Sequence, residues 1–222
     1  MALRVILAVP GRFVFLALLF GLGAFSFGRA SGSTEPLEPC AAPKLRLAIR
    51  LVSYADSAGS VFDRNSAQSL VNSLNRIWAQ CKIGFELEQY EALEPYGAGL
   101  RSSPRFMAEL PRIRDAFRSE DRLLVVMTGQ WSADGDITSW GADAWTTLPG
   151  NPPYGAIIDR PVCQNANIVA HELGHYLGLL HVQDDSNLLS PVVSRSSQTL
   201  SAEQCARARA VAQSSWRAML RT

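Results

Sequence analysis

The eleven residues HELGHYLGLLH, 171 to 181, hold all three histidines of this 222-residue chain. His171 and His175 are four apart, so on an α-helix they project from one face, one turn above the other. Their two ring nitrogens then reach a common point. Asn165 or Asn167 offers an N-cap, and Ile168, Val169, Leu173, Tyr176 and Leu177 supply apolar contacts around them. Gly178 is the expected stop. A glycine takes positive φ without a Cβ penalty, so the chain turns there and His181 comes back toward the same point.

Three neutral imidazoles suit zinc, and three protein ligands leave a fourth tetrahedral position open, the arrangement of a catalytic rather than a structural ion. Glu172 lies beside a ligand but is directed differently round the helix, where a carboxylate serves as general base toward water on the metal. A lone histidine on an apolar helix face is usually just packed, and a bare HExxH occurs by accident. The longer HExxHxxGxxH spacing is expected by chance only about 10⁻⁶ times in a chain of this length and composition.

This motif resembles that of the metzincin metallopeptidases, whose signature continues into a turn carrying a methionine. The resemblance implies zinc ligation by His171, His175 and His181 and a general base at Glu172. Downstream, HVQDDSNLLSP matches in length the matrixin-type run HSxxxxALMYP, with Asp184 at a commonly acidic position and Leu189 where that family has methionine. Leucine for methionine conserves volume, so Leu189 is expected to act as the apolar floor beneath the ligands. Ser190 and Pro191 follow, so no tyrosine stands two residues after Leu189. Val182 matches none of the residues that mark the best-known subfamilies.

At the amino terminus, Arg4 and Arg12 precede the apolar run FVFLALLFGLGAFSF, and GRA offers small residues before a cleavage after Ala30. Residues 1–30 are expected to be a secretory signal peptide. The run of 15 residues is short for a spanning helix, which wants about 20, so no stable membrane association is expected after cleavage. Removing residues 1–30 leaves 18 basic against 20 acidic side chains, a balance that gives no electrostatic attraction to nucleic acid. Export, periplasmic or extracellular, agrees with the cysteines. Four of them suggest two disulfides, and of three connectivities the expected one joins Cys40 to Cys81 and Cys163 to Cys205. Cys40 as a latency switch is disfavoured, because EPCAAP lacks the flanking residues of a matrixin propeptide.

Beyond a leader over 31–43, residues 44–222 read as one catalytic domain with its cleft near 171–191. KLRLAIRLVSY alternates and should be a strand with one solvated face. The spacing of Leu70, Leu74, Ile77 and Trp78 predicts a helix from Asp63 to Gln80, followed by a strand over IGFELEQY. Residues 104–118 are weakly helical despite Pro111, RLLVVMTG is a buried strand, GAIID a short strand feeding the zinc helix, and 201–220 a closing helix capped by Ser201. The class is α+β. By resemblance to the metzincin domain it comprises a mixed twisted sheet, long helices above the cleft and a small irregular C-terminal subdomain below it.

The remaining stretch, QWSADGDITSWGADAWTTLPG, carries three tryptophans and three aspartates. By resemblance it contains an antiparallel edge strand that binds extended substrate, with Gly141, Ala142, Ala144 and Trp145 against it. Alternatively, its tryptophans pack the domain and its aspartates make turns. Calcium at Asp134 and Asp136 is a further, less favoured expectation. The sequence therefore points to a monomeric, exported zinc endopeptidase acting on protein or peptide, with a non-catalytic, zinc-stabilised peptide-binding or adhesion module as the alternative.

Overall fold

The structure, a computed structural model, describes Leu3–Arg4 and residues 44–222 apart from Ala58 and Trp140. The expected signal peptide beyond Leu3–Arg4, the leader with Cys40, and Trp140 lie outside the described residues. In chain order the elements are β1 (Leu3–Arg4), β2 (Leu45–Asp56), β3 (Gly59–Ser60), α1 (Arg64–Trp78), β4 (Ile83–Leu93), α2 (Glu109–Ala116) and β5 (Leu123–Met127). They continue as β6 (Ala144–Trp145), β7 (Ala156–Ile158), α3 (Ala166–Tyr176), β8 (Val192–Val193), α4 (Ala202–Ser214) and β9 (Leu220–Arg221).

A mixed sheet forms the frame. Strands run in the order β4, β2, β5, β7, β6, all parallel except β6, which closes one edge antiparallel to β7. Parallel neighbours need crossovers, and α1 between β2 and β4 is one of them. Asp63 starts α1 by accepting a bond from Ser66 N at 2.8 Å. The helix buries Leu70, Val71, Leu74, Ile77 and Trp78 against the sheet, an apolar stripe with helical spacing. On the same face lie α3 and α4, while α2 covers the other face with Leu110 and Ile113. Pro111 falls in the first turn of α2, where its missing N–H removes no intrahelical bond. A separate two-stranded pairing joins β1 to β8.

Three expectations need correction. β2 is an interior strand and does not keep one face in water: Arg46 and Arg50 lie on the less covered half of that face, but Val52 and Tyr54, two and four residues after Arg50, are buried under α2. The alternation KLRLAIR reported only the uncovered half. The closing helix stops at Ser214, because Trp216 turns inward between Tyr154 and Tyr176 and donates its indole N–H to Tyr176 O at 2.7 Å. The chain then leaves as β9 and pairs with β2. Finally, the disulfide joins Cys81 to Cys205, with Cα atoms 4.7 Å apart, and leaves Cys163 a buried thiol. Neither expected pairing forms. The first turn of α4 packs beside the end of α1 rather than beside the start of α3, and Arg209 on α4 also bonds Lys82 O at 3.0 Å.

Candidate metal centre

Asn165 caps α3 through a bond from Asn167 N, and the helix is buried from Asn167 to Tyr176. It ends as the glycine dictates. Gly178 has φ +79°, its N–H bonds His175 O, and Arg207 of α4 donates to Gly178 O at 2.7 Å, which holds the reversal in place. His181 returns beside the helix.

The three Nε2 atoms converge, 2.9 Å apart for His171–His175 and 3.2 Å from each of these to His181. Two tetrahedral bonds of about 2.0–2.1 Å place nitrogens about 3.3 Å apart, so the spacing fits zinc within a few tenths of an ångström. The protons fit as well. His171 Nδ1 lies 2.7 Å from Leu188 O and His175 Nδ1 2.8 Å from Leu179 O. A carbonyl only accepts, so each Nδ1 carries the proton and each Nε2 presents a lone pair. Lone pairs this close repel unless a cation sits among them. Burial also pushes the His171 pKa well down and that of His175 to about 3, favouring the neutral form that ligates.

Leu189 lies where the family places methionine and is fully buried. A Cβ on Gly174 would meet its Cδ atoms at 3.1–3.2 Å, so the glycine within HELGH is what lets the floor approach the helix. The turn that carries it is held by Asn187, whose side chain accepts from Leu189 N and exchanges hydrogen bonds with Gln204, itself part of the α4 capping box. Val182 N donates to Leu189 O, tying the residue after the third histidine to the same turn. Asp184 is exposed and caps the loop through Ser186.

Glu172 is buried, and burial pushes its pKa up to about 7, with the Thr146 hydroxyl and the Arg114 guanidinium pulling it back. Thr146 is close enough to act on the carboxyl, yet no hydrogen bond of good geometry joins them. Among the described residues, both Glu172 oxygens and Thr146 Oγ1 are buried without one. The carboxyl is therefore not consumed by structure. Its neighbours come from the sheet edge: Ala144 and Trp145 form β6, with buried side chains, and Gly141 turns at φ +65° just before it. Asp136 accepts from Met107 N and Asp134 faces Arg105, so these two aspartates serve as turn and loop contacts. Among the described residues, the group of three or more potential ligands that converges is His171, His175 and His181. Asp159, which follows β7, was not expected from sequence. It accepts from Trp131 N at 2.9 Å, and its pKa is raised to about 6 by burial.

The histidines, Glu172 and Leu189 were legible through spacing. Asn187 had a weak signal as a turn former; Arg114 and Thr146 had none, since each acts across more than twenty-five residues of chain.

The matrixin family model matches residues 122–209, less than half of the chain but all of the metal centre. Among curated proteins, no sequence matches. Many solved structures match, two of which illustrate the shared fold. Metalloproteinase-II from Bacteroides fragilis has 16% identity and a TM-score of 0.52 over 76% of this chain and 53% of its own. Archaemetzincin from Methanopyrus kandleri has 16% identity and a TM-score of 0.52 over 76% of this chain and 96% of its own. The chain thus spans about half the length of the Bacteroides protein.

Proposed function

We propose that this chain, whose fold and histidine motif are those of metzincin zinc peptidases, is an exported endopeptidase that hydrolyses peptide bonds in extended polypeptide. The observation that carries this reading is Glu172: a fully buried carboxyl with unpartnered oxygens on the helix that carries two of the three converging imidazoles. A site kept only for stability has no use for it. Bound zinc would be held by His171, His175 and His181 and would supply Lewis acidity and a more acidic water. Glu172 takes a proton from the attacking water and returns it to the departing amine nitrogen. A pKa raised toward neutrality suits both halves of that transfer.

Substrate recognition is assigned to the edge. Asp159 N donates to Asp143 O, so in the antiparallel alternation Ala144 directs its N–H and C=O to the free side of β6. An extended peptide adds there through main-chain bonds. The side chains of Ala142, Ala144 and Trp145 face inward, so this edge contributes affinity rather than sequence preference. Export is supported by the apolar amino-terminal run and by the Cys81–Cys205 disulfide.

The test is cleavage of a peptide library by the purified chain, with and without a chelator, beside Glu172→Ala. Wild type should cleave internal bonds and stop on chelation, and the variant should keep zinc while losing at least about a hundredfold in rate. Zinc and peptide binding without cleavage by either protein would instead establish the non-catalytic module.

A further inference from the structure

Arg114 is buried on α2, at 4% exposure, and that burial lowers its pKa to about 10. Among the described residues no carboxylate forms an ion pair with it. Its hydrogen bonds go to main-chain carbonyls instead: Nε to Gly155 O at 2.8 Å and Nη2 to Trp145 O at 3.0 Å. A buried guanidinium without an adjacent carboxylate is costly, and an apolar residue of similar volume would usually serve packing as well. What the arginine supplies is a fork. Trp145 ends β6 and Gly155 immediately precedes β7, so the two carbonyls are the two ends of the connection between the edge strand and its neighbour. The stem needs its own clearance: a Cβ on Gly155 would meet Arg114 Cγ at 3.1 Å and Leu124 Cδ2 at 3.0 Å.

The residue after Trp145 is Thr146, 5% exposed, whose hydroxyl stands beside Glu172. Glu172 and Tyr176, one helical turn apart on α3, both act electrostatically on the guanidinium and partly offset the effect of its burial. Thus one buried side chain holds both ends of the edge connection while its charge acts on the Glu172 carboxyl.

We propose that Arg114 is a positioning residue for the reaction: by clamping Trp145 O and Gly155 O it fixes the end of the edge strand and holds the Thr146 hydroxyl against the Glu172 carboxyl. The clamp thereby keeps Thr146 Oγ1, itself buried without a hydrogen bond, within reach of a carboxyl whose two oxygens are likewise unpartnered. This inference rests on the peptidase reading.

The experiment compares Thr146→Val, Thr146→Ser, Arg114→Met and their combination in the full chain, measuring zinc content, steady-state kinetics and amide hydrogen exchange. Thr146→Val, nearly isosteric, should lower kcat about tenfold or more with KM within about twofold and zinc content unchanged, since misplacement of a reacting group costs rate rather than affinity. Thr146→Ser should restore kcat to within about threefold of wild type. A merely structural threonine would not show that split or that rescue. Arg114→Met should speed exchange of the Trp145 amide, which pairs with Ile157 across β6 and β7, about tenfold or more while α3 stays protected. Adding Thr146→Val to Arg114→Met should lower kcat less than it does alone, because the two act as one unit. Wild-type kcat in Thr146→Val, or unchanged exchange in Arg114→Met, overturns the proposal. Should Arg114→Met not fold, the Val/Ser comparison at Thr146 decides. A wild type that cleaves nothing sinks the peptidase reading, while the exchange comparison still accepts or rejects the clamp.

Discussion

The ligand side of the metal centre is drawn from one stretch, residues 171 to 189, whereas the base side is assembled from α2, β6, the residue before β7 and α3. On the ligand side the orienting groups are main-chain carbonyls, Leu188 O for His171 and Leu179 O for His175, which survive any change of their own side chains. On the base side they are side chains, and the two Arg114 bonds span 41 and 31 residues. Ligand-side geometry starts from helix period and one glycine, with Arg207 and Gln204 of α4 holding the return. Long-range geometry is set by packing, and is exposed to single substitutions.

The largest expected effect breaks the ligand side alone. His181→Ala removes one of three protein ligands and should weaken zinc binding on the order of a thousandfold or more. His181 is only partly buried, so the metal-free chain should unfold at nearly the wild-type midpoint. Equal zinc affinity in a competition titration would remove His181 from the centre.

Reduction of the disulfide should come next, costing about 2 to 5 kcal/mol as read from denaturant midpoints. Cys205 anchors the first turn of α4, whose Gln204 holds Asn187 under the ligands. Exchange protection over residues 184–190 should therefore fall before that of the Trp145 amide. The reverse order would mean that the two sides are one cooperative unit.

Acid should also act on the ligand side. In the fold, burial holds the His175 pKa at about 3 against an ordinary 6.5, with His171 lowered likewise. Below 6.5 the unfolded chain binds protons that the folded chain refuses, so stability of the metal-free protein falls as pH drops from 6.5 toward 3. Urea titrations across that window, repeated in His175→Gln, should show a flatter decline in the variant.

The smallest effect is expected at the floor. Leu189→Met conserves volume and should change stability by less than about 1.5 kcal/mol, with cleavage within a few fold. A large gain in rate would show that the leucine does more than fill the space against Gly174.

From the sequence alone came the three converging histidines, Glu172 and Leu189 as positions of interest, and the positions of most helices and strands, because each follows from a short repeat: i, i+4 on a helix, a stop at glycine, alternation or an apolar run in a strand. The same local logic misjudged β2, whose alternation stops carrying information where α2 covers its outer face, and ended α4 too late because an inward tryptophan interrupts it. The disulfide was paired wrongly for the same reason. Which cysteines meet depends on how α4 lies against α1, and nothing in the spacing of Cys81, Cys163 and Cys205 encodes that angle. Arg114 and Thr146 are the furthest case. Neither sits in a pattern, and only tertiary packing brings an arginine from one face of the sheet, a threonine from its edge and the carboxyl of Glu172 into one dry space where an unpaired charge must find partners.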